Sequence, residues 1–185
     1  MPDQPILTTL RLILRPFRKD DADEVQRLVS DKAVAATTLH IPHPYEDGLA
    51  DAWIETHKER FESDDEAVFA VTQAKPTTTR LIGAIGLLRH KQLNPCLGEL
   101  GYWIGRPFWN RGYCTEAAEA MIRFGFETWS LNRIHAHHFA SNPASGRVME
   151  KIGMKREGLL RQHVKKGNAL HDIAIFGLLK TEFEP

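Results

Sequence analysis

The stretch Asn110–Glu116, NRGYCTE, decides how this chain of 185 residues is read. An apolar segment, ELGYWIG at Glu99–Gly105, precedes it. Apolar residues at helical spacing follow it: Ala118, Ile122, Gly125 and Trp129. That order places a glycine at a strand-to-helix turn. The backbone N–H groups in the first turn of a helix have no partner inside the helix and carry the positive end of its dipole. Such a turn can hold a phosphate if the backbone comes close, and Gly112, lacking a Cβ, permits that approach. Arg111 adds a charge-assisted contact. A plain chain-reversing turn fits the same residues. The nucleotide-binding patterns GxxxxGK[ST] and GxGxxG are both absent.

Upstream, Leu10–Phe17 alternates, with Leu10, Leu12 and Leu14 on one face and Arg11 and Arg15 on the other, as in a half-buried strand. Asp20 or Asp21 can cap a helix carrying Val25, Leu28 and Val29. Ile41–Tyr45, IPHPY, is a loop because each proline restricts its predecessor. Leu49, Trp53 and Phe61 mark a second helix from about Glu46 to Glu62. Strands are expected at Ala67–Gln73, Arg80–His90 and Leu97–Gly105, with a turn at Lys75–Thr79. Downstream come a helix over Thr115–Trp129 and a strand over Asn132–Ala140. A further helix opens at Asn142-Pro143, buries Ala144, Val148 and Ile152 on one side, and stops at Gly153. Two strands, Met154–Val164 and Ala169–Leu179, close the chain around the turn Lys165–Asn168. The order implies a single α/β domain over residues 1–185, with a twisted, mixed, mostly antiparallel sheet and about four helices.

Hydrophobic residues at 42% and charged residues at 26% match an ordinary globular protein. The 24 Lys+Arg balance the 24 Asp+Glu, so no long-range field draws in nucleic acid or an anionic membrane. Two cysteines, Cys96 and Cys114, make no disulfide framework and suit a reducing compartment. There is no basic-then-apolar leader and no apolar run long enough for a bilayer, so a cytoplasmic protein is expected.

Three segments in order resemble the GNAT superfamily of acetyl-CoA-dependent N-acetyltransferases. They are ELGYWI at Glu99–Ile104, WNRGYCTEA at Trp109–Ala117, and NPASGRVMEKIGM at Asn142–Met154. With TLRLILRPF at Thr9–Phe17, the resemblance covers nearly the whole chain. The most similar branch acetylates protein N-termini, including those of ribosomal proteins. The resemblance implies acetyl-CoA as cosubstrate, no metal, an amine acceptor that includes protein N-termini, and room for a homodimer. It makes the turn a pyrophosphate loop, in which Asn110, Arg111, Gly112, Tyr113, Cys114 and Thr115 hold coenzyme A. Trp109 and Cys114 depart from the family pattern [QR]xxGx[GA] at its first and last places. Free N–H groups of Tyr102, Trp103 and Ile104 on a splayed strand would hold pantetheine and the oxyanion. Asn142 would contact pantetheine as well as cap its helix.

The same resemblance makes Glu99 the candidate base, directly or through water, provided burial raises its pKa. Glu157 is the alternative. Many members place a tyrosine acid seven residues after the asparagine. Here that residue is Met149, which leaves Ser145 as the acid. His40, His43 and Tyr45 would wall the amine pocket, together with the loops Thr37–Tyr45 and Arg161–Leu170. Met149 also keeps open a non-catalytic acyl-CoA sensor, and a small amine such as a drug or polyamine is an alternative acceptor. Other constellations carry less. His138 points away from His135 and His137 on one strand, so the three do not converge on a metal. Cys114 as the nucleophile of a hydrolase lacks a paired histidine motif. The aromatic run Tyr102, Trp103, Phe108 and Trp109 has only Arg106 and Arg111 beside it, too few for a nucleic-acid groove.

Overall fold

Two strands carry near-continuous apolar runs, β3 (Glu66–Gln73) and β4 (Arg80–Arg89), because both of their faces are covered. In the computed structural model, which describes residues 3–74 and 80–183, they lie inside an eight-stranded sheet. Across the sheet the order is β1 (Leu7–Thr8), β2 (Leu12–Arg15), β3, β4, β5 (Leu97–Ile104), β6 (Arg133–Phe139), β8 (Ala169–Leu179) and β7 (Lys155–Lys166). Every pairing is antiparallel except β5 with β6. The expected mixed, mostly antiparallel sheet is therefore observed. The turn expected at Lys75–Thr79 lies outside the described residues.

Helices α1 (Ala22–Val29) and α3 (Leu49–Glu62) cover one face, where Val25, Val29, Ala50 and Ile54 pack on Ala70 and Leu81. Helices α4 (Tyr113–Glu127) and α5 (Pro143–Lys151) cover the other, and Ala118, Met121, Ile122 and Met149 join Leu14, Phe69 and Val71 in the main core. Successive β3 residues Phe69 and Ala70 thus serve opposite layers, as a period of two requires. A fifth helix, α2 (Lys32–Ala36), adds to the expected four or so. Five residues are too few to display an apolar stripe; its local signal is Asp31, which accepts the Ala33 N–H at 2.8 Å.

The N-terminal strand differs from its expected pattern. Leu10 is 92% exposed and lies in the turn ahead of β2, while Leu12 and Leu14 are fully buried. Arg15, expected on the polar face, is buried, because Asp21 waits for it. Both guanidinium Nη groups donate to the two Asp21 oxygens at 2.7 Å, and the Arg18 N–H donates to the same carboxylate at 2.8 Å. Asp21 is therefore not the side-chain cap of α1. Helix α4 starts two residues before the expected Thr115, directly after Gly112. In α5 Pro143 takes the first position, but the Asn142 side chain makes no capping bond. The buried side of α5 also differs. Ala144 is exposed, whereas Gly146 and Met149 are buried. A Cβ on Gly146 would come within 2.9 Å of His138 Nε2, so the helix docks through that glycine.

Burial raises the Asp21 pKa, but the hydrogen bonds and charges of Arg15 and Arg18 outweigh it and leave it below the ordinary aspartate value. The pair's stabilisation is therefore complete above that ordinary value and is lost as pH falls through the depressed folded one. Asp21→Ala strands a buried guanidinium and is expected to cost about 3–5 kcal/mol, read from urea unfolding at pH 7. The gap between variant and wild type should narrow below pH 4, roughly the ordinary aspartate pKa.

Candidate active site

The parallel pairing of β5 with β6 lasts three residues, from Leu97↔Arg133 to Glu99↔His135. Beyond it β5 stays on β4 as far as Ile104↔Gly83, while β6 stays on β8 from Arg133 to Phe139. One edge of β5 from Leu100 onward is therefore bare. The Gly105 N–H donates to Ile82 C=O at 2.8 Å, which sets the phase of the ladder. Residues 101 and 103 turn their amides to β4, and residues 102 and 104 turn theirs to the gap. Tyr102 and Ile104 are the free N–H donors. Trp103, expected as a third, spends its amide on β4. The Ile104 carbonyl accepts the Trp109 indole N–H at 2.5 Å, which ties the gap to the turn that follows.

Gly112 adopts φ 76°, ψ 2°, a left-handed conformation that a β-carbon would strain. The first helical bond is Glu116 N–H to Gly112 C=O at 3.1 Å. The N–H groups of Tyr113, Cys114 and Thr115 are left outside the ladder, at the positive end of the dipole. Arg11, read in sequence as an outward strand residue, braces this turn. Its Nε donates to Glu116 at 2.7 Å, its Nη1 donates to Arg111 C=O at 3.0 Å, and its guanidinium lies 4.9 Å from the Tyr113 ring centre. Glu116 also accepts the Thr9 hydroxyl at 2.6 Å and the Arg11 N–H at 2.7 Å. Asn110 and Arg111 keep their side chains exposed. Cys114 packs against the core, and burial pushes its thiol up to about 12. It stays protonated at neutral pH, which removes it as a nucleophile.

A cleft of about 590 Å³ opens on the α1 and α3 side of the gap. Of the expected residues, His40, Tyr45, Glu99, Tyr102, Trp103 and Ser145 line it, and His43 does not. Of the two loops expected to wall it, Thr37–Tyr45 lines the cleft, whereas Arg161–Leu170 is the end of the β7–β8 hairpin and does not; it touches that loop through Lys166, whose ammonium donates to the carbonyls of Ala35, Thr38 and Ile41. Its floor contains the cross-strand pair Gly86↔Gly101. A Cβ on Gly101 would meet nothing within 4 Å, so that position faces open space.

Glu99 sits at the near end of the floor among three imidazoles. His90 Nε2 is 2.9 Å from Oε2, His137 Nδ1 is 3.2 Å from Oε1, and His135 Nε2 is 3.9 Å from Oε2. Contact with His137 lowers its pKa most; burial opposes this, and the remaining histidine interactions carry it down to about 2. That shift runs opposite to the one a base role needs. Glu157 is no substitute. Arg133 holds it at 2.7 Å and 2.5 Å and keeps its pKa low, and it does not line the cleft. At the opposite wall the Tyr102 hydroxyl lies 2.9 Å from Ser145 Oγ and donates to Ser145 C=O at 3.2 Å. Burial raises the Tyr102 pKa, the neighbouring Cys114 adds to this, and Ser145 opposes. Met149, in the tyrosine's place, is buried. Sequence reasoning missed His90, Glu66 and Arg11 as site residues. Their roles arise from cross-strand register and long-range contact, for which no local spacing gives a signal.

A family model for an acetyltransferase (GNAT) domain matches residues 11–155. The chain is a GNAT N-acetyltransferase. This GNAT chain is 32% identical over 178 residues to the uncharacterized N-acetyltransferase YnaD of Bacillus subtilis, with 96% of this chain and 98% of that one covered. A GNAT-family acetyltransferase from Bacillus anthracis superposes with a TM-score of 0.83 at 28% identity, over 96% of this chain and all of that one (100%). RimL, a ribosomal L7/L12 alpha-N-protein acetyltransferase solved with coenzyme A, gives a TM-score of 0.83 over 95% of this chain and 98% of its own. At 14% identity it shares the GNAT fold. No helix among the described residues is long and apolar enough to cross a membrane. Filling the floor with Gly101→Leu should raise KM for the acceptor roughly tenfold or more while acetyl-CoA affinity, measured by calorimetry, holds within about twofold.

Proposed function

We propose that this GNAT domain transfers acetyl from acetyl-CoA to the N-terminal α-amine of a protein or peptide. The observation that carries this reading is the cleft's charge balance. Among the described residues that line it the carboxylates are Glu66 and Glu99. Glu66 is paired with Arg60 at 2.5 Å, and Glu99 is engaged by its imidazoles. The two carboxylates make no free acidic cluster for a polycation, which disfavours a polyamine or a cationic drug. The cleft also offers no strong base. At pH 7 about a tenth of an α-amine with pKa near 7.7–8.0 is neutral, against roughly one part in 2,500 of a lysine near 10.4. A weakly basic site is therefore matched to the α-amine. A chain terminus also suits a cleft with aromatic walls at Tyr45, Trp53 and Trp103.

In this reading the pyrophosphate rests on the N–H groups of Tyr113, Cys114 and Thr115, with Asn110, Arg111 and Gly112 around it. The pantetheine arm follows the bare edge of β5, and Asn142, whose side chain makes no capping bond, is assigned to it. The N–H groups at Tyr102 and Ile104 are candidates for the developing oxyanion. Ser145 donates to the departing thiolate, and Tyr102 fixes its hydroxyl. That hydroxyl pair fills the role Met149 cannot, and it favours turnover over a sensor. His40 and Tyr45 contact the acceptor. The test is purified protein with acetyl-CoA and a panel of free-N-terminus peptides, N-terminally blocked peptides, polyamines and aminoglycosides, followed by free thiol and acceptor mass. Acetylation of free-terminus peptides is expected. Acetylation confined to polyamines or drugs would overturn the acceptor class. Ser145→Ala should lower kcat about 100-fold with little change in acetyl-CoA affinity.

A further inference from the structure

We propose that His137 is the proton acceptor of the transfer and that Glu99 is its positioning carboxylate. The inference rests on the acetyl-transfer reading of the cleft and adds the residue that takes the proton. Register carries the argument. Glu66, Leu88, Glu99 and His135 lie in one row across β3, β4, β5 and β6. The next row toward the gap runs Val68, Gly86, Gly101, and on β6 it reaches His137, two residues beyond His135. This second row borders the bare edge where the Tyr102 N–H is free. Two of its four members are glycines, and the space over Gly101 is empty. An acceptor amine placed over Gly101 has one titratable side chain beside it in that row, His137, which lines the cleft.

The ring is oriented for the task. Nδ1 is 3.2 Å from Glu99 Oε1, so Nε2 on the far side of the ring is the nitrogen left for the cleft. A carboxylate facing one nitrogen holds the proton there, leaves a lone pair on the other, and stabilises the imidazolium that forms. The neighbouring groups reinforce this division. Glu99 is also bound by His90 from the end of β4, and His135 lies beyond it on β6. Burial lowers the His135 pKa, which keeps that ring neutral. Glu66 on β3 belongs to the first row and is occupied by Arg60 of α3. His138, next along β6, also borders the cleft, but its Nε2 lies against Gly146 of α5 and its Nδ1 lies 2.7 Å from the Phe139 carbonyl. On β8 the residue opposite His137 is Ile175, which is uncharged. From the loop side, His40 and Tyr45 are the titratable groups that reach the cleft.

The step balances as follows. The amine nitrogen forms a bond to the acetyl carbon, and its proton passes to His137 Nε2. Collapse of the tetrahedral adduct breaks the C–S bond, and the sulfur takes a proton from the Ser145 hydroxyl or from water. Ser145, where it is the donor, takes its proton back from water as it gives its own to the sulfur, and His137 returns the amine's proton to solvent, so both side chains end as they began.

The test compares wild type, His137→Gln, His137→Ala and Glu99→Gln on whichever acceptor the wild type acetylates. His137→Gln should lose about 100-fold or more in kcat/KM, with acetyl-CoA affinity unchanged. The acid limb of the wild-type pH profile of kcat, taken at saturating acceptor, should vanish with it. Added imidazole should restore part of the His137→Ala rate, which a structural role would not allow. His137→Gln within about threefold of wild type, with the acid limb retained, overturns the assignment. Nitrogen-detected NMR of the histidine rings supplies a readout free of activity. A proton on Nδ1 of His137 in wild type, lost or shared in Glu99→Gln, supports the assignment, and a proton on Nε2 overturns it. If wild type binds acetyl-CoA but modifies no acceptor, the acceptor reading fails, and the ring tautomer still decides the His137 assignment.

Discussion

The site depends on the parallel pairing of β5 and β6 ending after three residues. β6 is committed to β8 along its whole length, and β5 is committed to β4. Neither strand can follow the other without breaking a longer ladder. The gap that results holds amides that protein groups would otherwise satisfy, and an unpaired backbone edge in a sheet interior is tolerated where a ligand or water completes it. The same gap sets the geometry on either side. Trp109 closes on the Ile104 carbonyl, which seats the turn leading into α4. Ser145, on the first turn of α5, reaches Tyr102 across the opening.

Around this gap, charge is used to place backbone. Arg11 and Glu116 join the N-terminal hairpin to the start of α4, so the first strands of the chain brace the turn at Gly112. Lys166, at the tip of the β7–β8 hairpin, gathers one carbonyl from the end of α2 and two from the segment after it. Burial lowers its pKa, an effect that the three acceptors offset by solvating the ammonium in place of water. The loop that lines the cleft is thus held by a segment more than a hundred residues away. Glu99 follows the same logic on a smaller scale, because imidazoles from two other strands hold its carboxylate ionised.

Much of this was legible in the residues, for definite reasons. Strand and helix periods place the apolar positions, so β3, β4, β8 and α4 fall close to where spacing puts them. Gly112 marks a turn that needs a positive φ, and the NPAS segment marks a helix start. The family motifs lie at those same points, which is why acetyl-CoA chemistry could be expected before any contact was known. The differences have a common cause. Arg15 and Asp21 were read from their own local pattern, and Glu99 and Trp103 from the family resemblance. Each role is set instead by a partner on another element: Arg15 by Asp21, Glu99 by three histidines, and the Trp103 amide by the phase of the β4 ladder.

The sequence by itself determined the α/β class, the order of most elements, the glycine turn ahead of α4 and the GNAT family, because each is written in short-range spacing or in contiguous motifs. Tertiary structure alone decided which amides stay free, which loop residues reach the cleft, and which titratable groups face the acceptor. Those depend on register and on the point where two strands part. A one-residue change in register reverses every side chain's face, and no local pattern records where a pairing ends.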